Sequence, residues 1–300
     1  MCIRDRYWVK EHGRNGYKVF SREIDSGGAD RLSLERDLHL ALESGGFSLF
    51  YQPKVDLKSN TIFGVEALLR MRRANGELTS PADFIPLAEE TGLIIPIGQW
   101  VLETACRDAA RMQQELGVAL KVAVNISPRQ FMRDALVGTV QDVLRRTSLD
   151  PGLLELEITE SVLMDELSGD STALFELNAL GVKIAIDDFG TGYSSLSYLK
   201  LYPIDKLKID QSFVHDMTHD PGDAALIVAI IAVGHSLSIP VLAEGIETPE
   251  QLAFLTANNC DLGQGFYIGK PMPLEAFLQW FSDTARWKPD KPQGQLDMDL

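Results

Sequence analysis

Ile184-Ala185-Ile186-Asp187-Asp188-Phe189-Gly190-Thr191-Gly192-Tyr193-Ser194-Ser195 is the stretch on which the fold turns. Val182, Ile184 and Ile186 alternate with Lys183 and Ala185, the period of a strand. Asp187 and Asp188 stand where that strand ends, and Gly190 and Gly192 permit a sharp turn behind them. Tyr193-Ser194-Ser195-Leu196 then reads as the start of a helix. Adjacent carboxylates repel each other unless a proton or a cation intervenes. Two readings are open for this stretch alone: a carboxylate pair that holds metal, or a plain Asp-Gly turn.

Upstream, Leu34, Leu38 and Leu42 share one helical face, and Gly45-Gly46 ends that helix. Phe47, Leu49 and Tyr51 alternate with Ser48 and Phe50 as a first strand, and residues 61–68 form a second after the turn at Lys58-Ser59-Asn60. So short a connection excludes a helical crossover, so these two strands are antiparallel. Helices fit residues 81–90 and 98–115, a strand 121–126, a helix 128–146, a strand 153–158 and a helix 171–180 before the opening stretch. A short helix to Leu199 follows it. Strands at 206–209, 240–243 and 262–268 come next, with helices at 223–236, 248–258 and 274–281. The pattern predicts an α/β fold, a (β/α)8 TIM-like barrel with an antiparallel first strand. Residues 21–30 read as a polar linker, 31–284 as the barrel, and 285–300 as a disordered tail.

Composition narrows the function classes. The chain has 300 residues, 45% of them hydrophobic, with a formal net charge of −15. An acidic surface argues against sequence-independent binding to long nucleic acid, which needs a basic face. A small anionic ligand stays admissible if metals and lysines reverse the field locally. Cys2, Cys106 and Cys260 have neither disulfide nor zinc spacing, which predicts a reducing, cytoplasmic compartment. The longest apolar run, 224–233, is too short to span a membrane. Residues 1–6 carry no apolar core and read as a truncated start, so the full-length protein could be tethered through further N-terminal domains.

In a barrel of this kind the site lies at the C-terminal ends of the strands. Those ends carry Glu66 with Arg70 beyond it, Asn125, Glu157 with Glu160 beyond it, Asp187 and Asp188, Lys208, Glu244, and Gln264. Salt bridges could explain two or three of these, but a ring of acids with an amide and one lysine is costly unless it coordinates something. Hard oxygen donors suit Mg²⁺ or Mn²⁺, not zinc, and there are enough for two ions about 3.5–4 Å apart.

Gly64-Val65-Glu66-Ala67-Leu68-Leu69-Arg70 contains the tripeptide Glu-Ala-Leu. In order around it stand Tyr51-Gln52-Pro53, Asn125-Ile126-Ser127, Glu157-Ile158-Thr159-Glu160-Ser161, Asp187-Asp188-Phe189-Gly190-Thr191-Gly192, Lys208-Ile209-Asp210, Ala243-Glu244-Gly245 and Gln264-Gly265. This ordered set resembles the EAL-domain phosphodiesterases of bacterial cyclic di-GMP signalling. The closing segment from Gly265 to Pro271 is a variant of the family's. Gly13-Arg14-Asn15 and Tyr17 resemble the end of a GGDEF (diguanylate cyclase) domain, which makes residues 7–20 a remnant without its catalytic part.

The resemblance implies metal-dependent hydrolysis of cyclic di-GMP to linear pGpG with two Mg²⁺ or Mn²⁺ ions. It makes Glu66, Asn125, Glu157, Asp187, Asp188 and Glu244 the metal ligands and Lys208 the residue that orients the attacking water, its pKa lowered by surrounding charge. Glu160 would hold the loop after Asp188 and, through that loop, a homodimer; Gln52, Arg70 and Gln264 would touch the phosphates or guanine. An upstream GGDEF or sensory domain is implied as a partner. Two alternatives stand beside the enzyme: a non-catalytic cyclic di-GMP receptor on the same fold, and a protein-interaction scaffold.

Overall fold

In a computed structural model of the chain, the structure describes residues 22–73, 76–131, 135–167, 172–191 and 198–283. Strand β1 (Phe47–Asp56) pairs antiparallel with β2 (Thr61–Arg72) through the turn at Leu57–Asn60. Asp56 accepts from the backbone N–H of Ser59 at 2.7 Å and so closes that turn. From β2 the sheet continues in parallel through β4 (Lys121–Asn125), β5 (Leu154–Thr159), β6 (Lys183–Phe189), β7 (Lys206–Ile209), β8 (Val241–Ala243) and β9 (Leu262–Gln264). β9 returns antiparallel to β1 and closes the ring. The two-residue strands β3 (Leu78–Thr79) and β10 (Met272–Pro273) attach outside it, to β2 and β1. The barrel with its antiparallel first strand is therefore as expected.

The strands alternate in an unusual sense. Leu154, Leu156 and Ile158 of β5 and Leu207 and Ile209 of β7 are buried against the helices. The residues between them, Glu155, Glu157, Lys206 and Lys208, are also buried, at 3% exposure or less. β1 and β5 are not neighbours in the ring, since β2 and β4 stand between them, yet Lys54 of β1 contacts Glu155 and Glu157. Such contacts must cross the interior, so the barrel is packed with paired charges at its centre.

The helices are placed by ordinary end signals. Pro81, Pro221 and Pro249 open Pro81–Thr91, Pro221–Ser236 and Pro249–Ala257. Thr248 and Gln251 form a capping box on the last of these. Gly92 and Gly117, at φ 79° and 69°, end Pro81–Thr91 and Ile94–Leu116.

Three expectations change. Residues 21–30 do not all form a linker: a helix runs Arg22–Ser44 straight through Gly27-Gly28. Each glycine costs a helix only about 1 kcal/mol against alanine, too little to stop one anchored by packing further on. The 128–146 helix is two pieces, Pro128–Phe131 and Leu136–Thr147. The last barrel strand stops at Gln264, because the next backbone donors are spent on a turn, Tyr267 N–H to the Ile246 carbonyl and Ile268 N–H to that of Gly265. The helix expected from Tyr193, the remnant at 7–20 and the tail at 285–300 lie outside the described residues.

Candidate active site

Two neighbouring residues on a strand point to opposite faces, so Asp187 and Asp188 could not both face the site on a regular β6. The β6–β7 register slips between Ile186 and Phe189, and Asp188 adopts φ 54°, a left-handed conformation costly for a non-glycine residue. This bulge brings both carboxylates to one place. Asp187, Asp188 and Glu244 each offer an oxygen, all within 4.8 Å of one another. Glu244 is delivered at the end of β8, followed by Gly245 at φ 67°. A Cβ on Gly245 would come within 2.7 Å of Cβ of Gln211, so that turn needs glycine twice over.

Lys208 is buried beneath these carboxylates. Its Nζ donates to Glu157 Oε2 at 2.6 Å and lies 2.7 Å from Glu244 Oε1 and 3.0 Å from Asp187 Oδ1. Burial alone would lower its pKa; Glu157, Glu244, Glu66 and Asp187 outweigh that and hold it well above the usual lysine value. The lowering expected from surrounding charge belongs to the metal-loaded site; in the protein alone, the nearest charges are anions and act the other way. Burial pushes Glu244 up to about 8, with Lys208 opposing and Asp187, Glu66 and Glu157 reinforcing. Asp188 is pushed up to about 6 by burial, by Asp187 and by a shared hydrogen bond with Asp210.

Glu66 anchors the other side. It accepts from Asn125 Nδ2 at 2.7 Å and from Gln264 Nε2 at 2.6 Å, and Gln264 Nε2 also reaches Gln52 Oε1 at 2.9 Å. Gln52 in turn donates to the Gly269 carbonyl at 3.1 Å. Burial would raise the Glu66 carboxyl, but the nearby charges of Lys208 and Lys54 hold it below its ordinary value. Arg70 stacks over Phe50 at 5.5 Å, and a cleft of about 290 Å³ runs over Gln52, Glu66, Arg70, Glu244, Gln264 and Phe266. A larger hollow of about 890 Å³ continues it past Arg70, Phe266 and Pro271 to Arg72 and Lys270. The chain is acidic overall, but this groove is edged by cations.

Every residue predicted for the site except Glu160 is drawn into this network or the cleft over it. Glu160 begins the helix Glu160–Leu167, is buried, and leaves its Oε2 without a partner among the described residues. The loop it was expected to hold falls mostly at 192–197, outside them. Asp210 was not singled out for a role; it caps the helix Gln211–Asp216 through the Ser212 N–H and shares its other contact with Asp188. Lys54, Glu155 and Lys206 were missed altogether. For Glu155 and Lys206 the signal was the alternation Leu154-Glu155-Leu156-Glu157 and Lys206-Leu207-Lys208-Ile209, charged at period two in strands too central to face water.

Comparison with known proteins bears on this geometry. Residues 35–271 match the model of the EAL domain. The chain belongs to the EAL domain family. This EAL domain is 46% identical over 273 residues to the bifunctional diguanylate cyclase/cyclic di-GMP phosphodiesterase MucR of Pseudomonas aeruginosa, covering 91% of the chain and 40% of that protein. It is 38% identical over 275 residues to the cyclic di-GMP phosphodiesterase PdeR of Escherichia coli, covering 92% and 41%. The solved structure of the P. aeruginosa MucR phosphodiesterase in complex with c-di-GMP superposes with a TM-score of 0.79 at 46% identity, over 81% of this chain and 99% of that one. The EAL domain here therefore spans less than half the length of these two curated relatives. No helix among its described residues is long and apolar enough to cross a membrane.

Proposed function

We propose that this EAL domain hydrolyses cyclic di-GMP to linear pGpG. The observation that carries the reading is the β6 bulge, which gathers Asp187, Asp188 and Glu244 beside Lys208 beneath a cation-edged cleft. The donor set is all oxygen, with no His or Cys, and fits Mg²⁺ or Mn²⁺. Glu66, Asn125, Glu157, Asp187, Asp188 and Glu244 would hold two such ions. Bound there, they supply Lewis acidity and make water a nucleophile near neutral pH.

The chain's own residues account for the remaining work. Arg70 and the cleft amides Gln52 and Gln264 hold the phosphates and guanine, and Phe50 and Phe266 offer flat faces to the bases. Water attacks phosphorus in line with the 3′ oxygen; the P–O3′ bond breaks, leaving a 5′-phosphate and a 3′-hydroxyl. Arg70 offsets charge gathering on the phosphoryl oxygens. Lys208, whose Nζ lies 2.6 Å from Glu157 and 2.7 Å from Glu244, is placed as a donor that orients the attacking water. Glu160 positions the loop after Asp188, through which a homodimer forms. A GGDEF or sensory domain upstream fits the bifunctional relative and the motif at 13–17.

Incubation of the pure protein with cyclic di-GMP and Mg²⁺ or Mn²⁺, with products resolved by chromatography, tests the proposal. It predicts pGpG, abolished by chelator. Tight binding without product would make the domain a receptor, and no binding with metal present would make it a scaffold.

A further inference from the structure

The barrel interior holds a second layer of charge below the site. Lys54, Glu155 and Lys206 are each at most 3% exposed. Lys206 Nζ donates to both oxygens of Glu155, at 2.8 and 2.6 Å, and lies over the Phe63 ring at 4.9 Å. It makes no ion pair to Glu157. Lys54 differs: it donates to Glu155 Oε1 at 3.2 Å and also, by a short bond, to Glu157 Oε1. The other oxygen of Glu157, Oε2, is the one that meets Lys208. The Glu157 carboxylate is thus gripped on one oxygen by each of two lysines.

We infer that Lys54 is a positioning residue for the metal site: by fixing Oε1 of Glu157 from within the barrel, it sets the plane of that carboxylate and the place of Lys208. A carboxylate with one oxygen tied down cannot rotate away from its task, and outer partners of this kind commonly change metal affinity or activity by about 10–100-fold. The alternative is that the layer only fills the barrel. Lys206 separates the two ideas, because it is as buried and as well paired, yet among the described residues its only carboxylate partner is Glu155.

The inference rests on Glu157 being a metal ligand, as proposed above, so the test includes a readout that needs no turnover. Mn²⁺ binding is titrated by calorimetry on wild type, Lys54→Met and Lys206→Met, with kcat, KM and melting temperature for each. Lys54→Met should fold, since Glu155 keeps Lys206 and Glu157 keeps Lys208; if it does not, Lys54→Gln, able to donate one hydrogen bond, carries the same test. We expect the Mn²⁺ dissociation constant of the Lys54 variant to rise about tenfold or more and kcat to fall about 10–100-fold, with KM within about threefold. Lys206→Met should lose melting temperature but keep Mn²⁺ affinity and kcat within about threefold of wild type. Unchanged Mn²⁺ affinity and kcat in the Lys54 variant, or equal losses in both variants, would overturn the inference. Absence of pGpG from the wild type would instead sink the proposed activity, leaving the Mn²⁺ titration to judge Lys54.

Discussion

Lys208→Met removes a buried charge at nearly constant volume and separates two roles that alanine would blur. In metal-free protein Lys208 is the shared counter-ion of Glu157, Asp187 and Glu244. Removing one partner of a buried ion pair costs roughly 3–5 kcal/mol, because the charges left behind are poorly compensated. Here Glu244, pushed up to about 8, already holds its proton at neutral pH, so fewer bare carboxylates are left behind and the loss falls at the lower end of that range. At roughly 2–4 °C per kcal/mol for a domain of this size, the chelated variant should melt about 6–12 °C below wild type. Added Mn²⁺ should close most of that gap, since divalent charge replaces the ammonium. It should not restore turnover: losing one fixed donor to the reacting centre lowers kcat by about 10²–10³. The assay is thermal melting with chelator and with saturating Mn²⁺, beside steady-state kinetics. A gap that Mn²⁺ leaves untouched would refute the shared counter-ion argument. A wild-type kcat would refute the role on water.

Three further outcomes follow from the same geometry. Ca²⁺ is larger and takes looser coordination than Mg²⁺, so it should support cyclic di-GMP binding with little hydrolysis; equal rates in the two ions would contradict this. In chelated protein Glu244 (about 8) and Asp188 (about 6) titrate above their ordinary values of 4.5 and 3.8. The folded state therefore holds more protons than the unfolded one across that window, and stability should fall as pH rises from about 4 to about 8. The melting-temperature gain from Mn²⁺ should accordingly be larger at pH 8 than at pH 5.5, and an equal gain would count against the cluster. Glu160→Ala should weaken both substrate affinity and kcat, and weaken any dimer seen by sedimentation; an effect on melting temperature alone would make it a structural residue.

Most of the barrel was legible because β5, β6 and β7 are strongly periodic and because prolines mark the starts of Pro81–Thr91, Pro221–Ser236 and Pro249–Ala257. The boundaries were less so. Gly27-Gly28 looked like a linker because glycine's weak helix propensity was weighed without the packing of Leu34, Leu38 and Leu42 that continues the helix. The end of β9 was misplaced because Phe266, Tyr267 and Ile268 look like strand residues, while the Tyr267 and Ile268 N–H groups bond to the Ile246 and Gly265 carbonyls and not to a neighbouring strand. At the site, the motif residues announced themselves by sitting at strand ends. The sign of the Lys208 shift could not be read that way, since it depends on which charges stand nearest in space. Lys54, Glu155 and Lys206 lie below the strand ends, and for Glu155 and Lys206 only their period-two placement marks them as interior.

The acidic ring at the strand ends is proposed above as a metal-dependent phosphodiesterase site. The rate of pGpG formation by wild type and Glu66→Ala, side by side at saturating Mn²⁺, tests it most directly. Glu66 joins Asn125 and Gln264 within that ring. The account predicts pGpG from the wild type and none above background from the variant. Equal pGpG from both would place the chemistry elsewhere.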